Sequence, residues 1–98
     1  MPLVVDPDGI ELATIRELVD VAGMRVLEIG CGDGRMTFTY AGDAARVLAI
    51  DPDAELIDVA RAATPPRLLR RIRFAAADAA EIDLPTREFD LALFSWSL

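Results

Sequence analysis

Three glycines at alternate positions, Gly30, Gly32 and Gly34, stand with two acids, Glu28 just before them and Asp33 among them. Glycines so spaced let a backbone turn sharply and let a ligand approach without Cβ contact. A further acid, Asp51, stands about 20 residues beyond the first glycine, the spacing of a carboxylate that accepts both hydroxyls of a ribose. Asp78 follows in a third segment of the same kind. Singly, each has a plain structural reading: a glycine cluster is an ordinary strand-to-helix turn, and an aspartate is a helix cap or a loop carboxylate. Together they describe a nucleoside site. Its charge also selects, because a pyrophosphate needs a positive helix end without nearby acids. Glu28 and Asp33 would repel a dianion and suit a cationic ligand, a difference of about a few kcal/mol at a partly exposed site.

Such a site requires its residues at one end of a sheet. Arg25-Val26-Leu27-Glu28-Ile29 reads as a first strand, Val47-Leu48-Ala49-Ile50 as a second, Ile72 to Ala76 as a third, and Phe89 to Trp96 as a fourth. Leu84 to Glu88 is a connecting loop. Between the strands, Arg35 to Ala41 suits a short helix ending near Gly42. Asp53 caps another helix with Leu56, Val59, Ala60 and Ala63 on its apolar face, stopped by Pro65-Pro66. Ahead of the first strand, Asp8 and Glu11 form a capping box. Leu12, Ile15, Leu18, Val19 and Ala22 follow at helical spacing, with Gly23 as terminator. Strands alternating with helices imply crossovers and a parallel sheet covered on both faces. Right-handed crossovers predict an α/β fold, a doubly wound parallel sheet of order 3-2-1-4, with the glycine turn at the switch point where ligands bind.

The 98 residues form one small domain, 53% apolar, with a net charge of −7. That balance gives no electrostatic reason to bind nucleic acid. All ten basic residues are arginine. Arg61, Arg67, Arg70, Arg71 and Arg73 fall in one stretch, read as a solvated surface in preference to an anion site. Cys31 is the only cysteine, which excludes an internal disulfide. There is no signal-peptide pattern at Met1 to Asp6 and no apolar run long enough to span a bilayer. The expectation is a cytoplasmic protein with no metal site.

Val26-Leu27-Glu28-Ile29-Gly30-Cys31-Gly32-Asp33-Gly34 resembles the first signature motif of class I (Rossmann-like) S-adenosylmethionine-dependent methyltransferases. Val47 to Asp51 resembles the family's second strand with its ribose-binding acid. Phe74 to Ala79 resembles the adenine-contacting segment, and Phe89 to Ser95 the fourth strand. The resemblance implies S-adenosyl-L-methionine as cofactor. It implies that Gly30, Gly32 and Gly34 lie along the methionine portion, that Cys31 between them also contacts the cofactor, and that Glu28 holds the ammonium directly or through water. By the same resemblance Asp51 binds the ribose and Pro52 packs on the adenine. Asp78 and the Ala79 N–H read the adenine edge, and Ser95 and Ser97 stand at the rim near the acceptor. For both serines, satisfying backbone at a strand end is an equal alternative. A nicotinamide or flavin site is the main rival, but its G-x-G-x-x-G pattern needs glycine where Arg35 stands. A phosphate-cradling P-loop lacks its lysine here.

The implied reaction is direct in-line methyl transfer, aided mainly by alignment. No general base is assigned. Ser95-Trp96-Ser97-Leu98 does not match the Asn/Asp-Pro-Pro-aromatic pattern of DNA amino-methyltransferases, and with the acidic charge this favours a small-molecule acceptor. Family members continue beyond a fourth strand. The chain is therefore expected to be the cofactor-binding half of the family fold, residues 1–98, binding its cofactor weakly and not turning over alone. Its fourth strand is expected as an exposed edge prone to self-association. Two other readings stay open: a non-catalytic module that holds the cofactor, and a subunit completed by a partner.

Overall fold

The computed structural model describes residues 4–5, 11–14, 20–81 and 86–95. Six strands form one sheet: β1 (Val4–Val5), β2 (Glu11–Thr14), β3 (Arg25–Ile29), β4 (Arg46–Asp51), β5 (Ile72–Ala76) and β6 (Leu91–Phe94). Two helices accompany them, α1 (Thr37–Tyr40) and α2 (Ala54–Ala63). The spatial order is β1-β2-β6-β3-β4-β5. The four strands expected from the sequence are β3, β4, β5 and β6, and their order 5-4-3-6 is the expected 3-2-1-4. All their pairings are parallel.

The strands end in register. Ile29 lies opposite Ile50 and Phe94, and Asp51 opposite Ala76, so the carboxyl ends of β3, β4, β5 and β6 share one rim. Side chains alternate across the sheet. On one face Val26, Val47, Ala49, Leu91 and Leu93 pack with Ile57, Ala60, Leu68 and Phe74, and Phe38 and Tyr40 lean against them. Both described helices therefore cover this face. Leu27, Phe89 and Ala92 make a smaller cluster on the other, with Ile29 and Leu48 partly buried against it.

α2 begins as expected. The Asp53 carboxylate accepts the N–H groups of Glu55 and Leu56 at 3.0 and 3.2 Å, a cap worth about 1 kcal/mol. Its buried stripe matches expectation only at Ala60, which is fully buried together with Ile57, whereas Leu56 and Val59 are 38% and 52% exposed and Ala63 is exposed as well. Small Ala60 lets the helix come close to the glycine loop, which rotates Leu56 and Val59 outward. After Thr64, whose hydroxyl donates to the Ala60 carbonyl at 2.8 Å, Pro65 and Pro66 turn the chain into a single 3-10 turn that buries Leu68.

The expected helix before the first strand is corrected. Glu11 to Thr14 is strand, not the first turns of a helix, and it pairs in parallel with β6, Glu11 opposite Leu91 and Thr14 opposite Phe94. Short local helical signals are marginal by themselves, and an available strand edge outweighs them. Residues 15–19, Asp8 and 82–85 lie outside the described residues, and of the expected connecting loop Leu84 to Glu88 the described part, Thr86–Glu88, is a short 3-10 turn. Val21 to Met24 form a turn in which Gly23 takes φ +70°. The same pairing corrects the expected open edge: β2 covers β6 and β1 covers β2 in antiparallel fashion, so Phe94 is not on an exposed edge strand. Trp96, Ser97 and Leu98 lie outside the described residues.

The arginines read as a solvated cluster are exposed. Arg61 pairs with Asp58 at 3.8 Å and donates to the Phe74 carbonyl at 2.8 Å, and Arg71 donates to the Ala44 carbonyl at 2.6 Å. A cavity of about 510 Å³ lined by Arg46, Arg70, Arg71 and Arg73 opens at the amino ends of β4 and β5. That is the opposite end of the sheet from the glycine loop.

Candidate functional site

β3 runs straight into the glycine loop, and the loop is hung on the next strand. The N–H groups of Gly30 and Cys31 both donate to the Ile50 carbonyl, at 2.9 and 3.1 Å. The Asp51 carboxylate then accepts the Gly32 N–H on Oδ2 at 3.0 Å and the Asp53 N–H on Oδ1 at 2.9 Å. Asp51 thus ties the end of β4 to the loop and to the start of α2. Ser95 does the same from β6: its hydroxyl donates to the Gly30 carbonyl at 2.8 Å and its N–H to the Ile29 carbonyl at 3.1 Å. Its observed role is the backbone-satisfying alternative.

The glycines divide by task. Gly32 has φ +56°, and a Cβ there would meet only Leu56 Cδ1, at 4.0 Å. This backbone is open to a ligand, with Leu56 as an apolar neighbour that helical periodicity had placed in the core. Gly34, at φ +83°, is different: a Cβ would sit 3.0 Å from the Phe38 and Phe74 rings and 3.2 Å from Ala60. Gly34 lets the loop pack against α1, α2 and β5, a packing role that its position in the glycine motif did not announce.

Glu28 is fully buried in the central strand. Its Oε1 accepts two hydroxyls, from Thr37 at 2.8 Å and from Tyr40 at 2.5 Å. Its Oε2 is buried and has no hydrogen-bond partner among the described residues. Thr37 and Tyr40 were not singled out as site residues from the sequence. A signal existed: a lone glutamate inside the apolar run Val26-Leu27-Glu28-Ile29 demands buried donors. Burial first, then the charge of Glu28 and its hydrogen bond, pushes the Tyr40 hydroxyl well above its ordinary pKa, so Tyr40 stays protonated and acts as a donor. Cys31 is buried and free. Burial first, then the charges of Glu28 and Asp51, pushes its thiol up to about 12, leaving it neutral and a poor nucleophile.

Asp33 carries less of the electrostatic argument than its position suggests. It accepts the Arg35 N–H at 3.1 Å and pairs with the Arg35 guanidinium at 3.2 Å. The negative field of the loop therefore rests on Glu28 and Asp51. Beyond β5, the Ala77 N–H donates to the Asp51 carbonyl at 2.9 Å, which keeps this segment at the same rim. Asp78 is exposed and turns back to accept the Ala80 N–H at 2.9 Å, with Ala79 between them. Pro52 is exposed beside Asp51. The expected residues thus come together on one rim, and none of the described residues forms a metal-binding cluster.

A family model described as "Methyltransferase domain" matches residues 26–98. Magnesium-protoporphyrin O-methyltransferase of Rhodobacter capsulatus is 36% identical over 76 residues, 78% of this chain and 34% of that protein. Aklanonic acid methyltransferase DauC of Streptomyces sp. (strain C5) is 38% identical over 99 residues, 92% of this chain and 45% of that protein. The crystal structure of an S-adenosylmethionine dependent methyltransferase from Mesorhizobium loti aligns with a TM-score of 0.71 at 33% identity, over 82% of this chain and 36% of that one. The chain spans less than half the length of each of these three relatives. Because the family match begins at β3 and runs through the loop, α2 and β6, in the same strand order, the chain belongs to the class I, S-adenosylmethionine-dependent methyltransferases.

Proposed function

We propose that this chain binds S-adenosylmethionine at the shared rim and forms the cofactor-holding part of a methyltransferase for a small-molecule acceptor. The observation that carries the reading is the buried Oε2 of Glu28, which has no hydrogen-bond partner among the described residues. A buried acceptor without a donor costs about 1–3 kcal/mol, and more when charged. The missing partner is a cationic donor, and the ammonium of the cofactor, directly or through a water, supplies one. A pyrophosphate supplies none.

The other residues fit the same ligand. Each Asp51 oxygen accepts one backbone N–H and keeps lone-pair capacity for a ribose hydroxyl. Pro52 presents a flat apolar surface for the adenine, and Asp78 with the Ala79 N–H stands at its polar edge. Bound S-adenosylmethionine supplies an electrophilic methyl group on sulfur. The residues of this chain grip both ends of that molecule and orient the sulfur toward the acceptor, an alignment effect worth up to about 7–11 kcal/mol. Neither Tyr40, held protonated, nor Ser95, engaged with Gly30, is placed to remove a proton.

The names of the two curated relatives support a small acceptor, as does the net charge of −7, which disfavours a nucleic-acid substrate. The free Cys31 suits a reducing, cytoplasmic setting, and no described helix is long and apolar enough to cross a membrane. Titration calorimetry with S-adenosylhomocysteine and, separately, NADH tests the reading. Heat of binding with the first and none with the second is expected. Binding of NADH alone overturns it.

A further inference from the structure

We propose that Thr37 and Tyr40 are positioning residues that aim the Glu28 carboxylate at the ammonium end of the cofactor. The inference rests on the cofactor reading above and deepens it. Both hydroxyls come from α1, three residues apart and hence on one helix face. Both donate to the same oxygen, Oε1.

A carboxylate has about four acceptor positions over two oxygens. If the hydroxyls only relieved a buried charge, sharing them between the oxygens would satisfy more of it. Instead one oxygen is doubly held and the other has no partner among the described residues. The doubly held oxygen fixes rotation of the carboxylate about its last torsion, which is otherwise broad. The lone oxygen is then a preset acceptor. Glu28 sits in β3 between Ala49 and Leu93, both buried and apolar, so neither neighbouring strand offers a donor side chain at that register. Tyr40, protonated because of its burial and the adjacent charge, remains a donor across the working pH range.

The test compares two nucleosides on the full chain. S-adenosylhomocysteine carries the amino-acid ammonium; 5′-methylthioadenosine shares its adenosine and sulfur but lacks it. Calorimetric Kd values are measured for the unaltered chain, Tyr40→Phe, Thr37→Val and Thr37→Ser. Circular dichroism and thermal melts show that each variant is folded, and the two sites give independent routes should one variant fail. We expect Tyr40→Phe and Thr37→Val to weaken S-adenosylhomocysteine by about tenfold, the scale of a hydrogen bond to a charged group. Methylthioadenosine should change less than about twofold, because its contacts leave the charged hydrogen bond out. Thr37→Ser, which keeps the hydroxyl, should restore the discrimination. Equal weakening of both nucleosides would show that the hydroxyls only support the loop and would overturn the proposal, as would unchanged affinity for both. If the unaltered chain binds neither nucleoside, the cofactor reading itself fails. If it binds both and the variants do not discriminate, only the positioning role fails.

Discussion

The Asp51 carboxylate spans two backbone segments, taking the Gly32 N–H on one oxygen and the Asp53 N–H on the other. A residue read either as a ribose acceptor or as a loop carboxylate therefore holds the glycine loop in shape. Asp51→Ala removes both bonds. It should lower stability by about 1.5–3 kcal/mol, the range for hydrogen bonds to a charged group. It should also abolish measurable S-adenosylhomocysteine binding. Asp51→Asn, which keeps an acceptor oxygen, should recover part of the stability and little of the binding. Denaturant melts and calorimetry on the same samples check both.

Gly32 and Gly34 should respond to alanine to different degrees. At Gly34 the new methyl would sit 3.0 Å from two aromatic rings at φ +83°, so Gly34→Ala should destabilise the fold by about 2–4 kcal/mol through overpacking and backbone strain. At Gly32 the methyl meets only Leu56 Cδ1, at an ordinary contact distance of 4.0 Å, and only the φ penalty of about 1 kcal/mol remains. Gly32→Ala should stay folded at room temperature and lose nucleoside affinity. Comparable melting temperatures for the two variants would contradict the division of roles.

At the far end of the same strands, Arg25 and Asp90 form a two-pronged pair, Nη2 to Oδ1 at 2.9 Å and Nε to Oδ2 at 3.1 Å, and the Arg25 N–H adds a third bond at 2.9 Å. The hydrogen bonds from Arg25 lower the Asp90 carboxyl from 3.8 to about 2. A carboxyl depressed in the folded state stabilises above its unfolded pKa and loses that contribution as pH falls through the folded value. The advantage over Asp90→Asn should be full at pH 7, shrink below about pH 4 and vanish near pH 2. Both side chains are about 40% exposed, so solvent screening limits it to about 1 kcal/mol. Urea midpoints across that range measure it.

Cys31 should be silent in the native protein. With its thiol at about 12, the thiolate fraction at pH 8 is about one in ten thousand. Iodoacetamide should label the chain negligibly at pH 8 and fully once urea is added. Rapid native labelling would show that the loop opens.

The sheet order and the glycine loop were legible because they follow from local patterns: apolar runs, alternate glycines and acids at strand ends. What was not legible depends on contacts between distant segments. Glu11 to Thr14 carries a helical signature, yet the edge of β6 makes it strand. Leu56 and Val59 fit the helical spacing as well as Ile57 and Ala60 do. The choice between them falls to the close approach of Ala60 to Gly34. The Thr37, Tyr40 and Glu28 cluster crosses a loop whose path no periodicity encodes. Ser95, for which the sequence left two roles open, binds backbone at Gly30 and Ile29.

The position of β6 has a consequence for assembly. It lies between β2 and β3 although it follows both in sequence. The sheet cannot be zipped in chain order. β3, β4 and β5 pair in chain order, while β2 pairs with a strand far along the chain. Closing such long loops is slow and raises little stability until the end. β6 is thus the strand that joins β2 to β3, and the same strand brings in the Ser95 tether that completes the frame of the glycine loop.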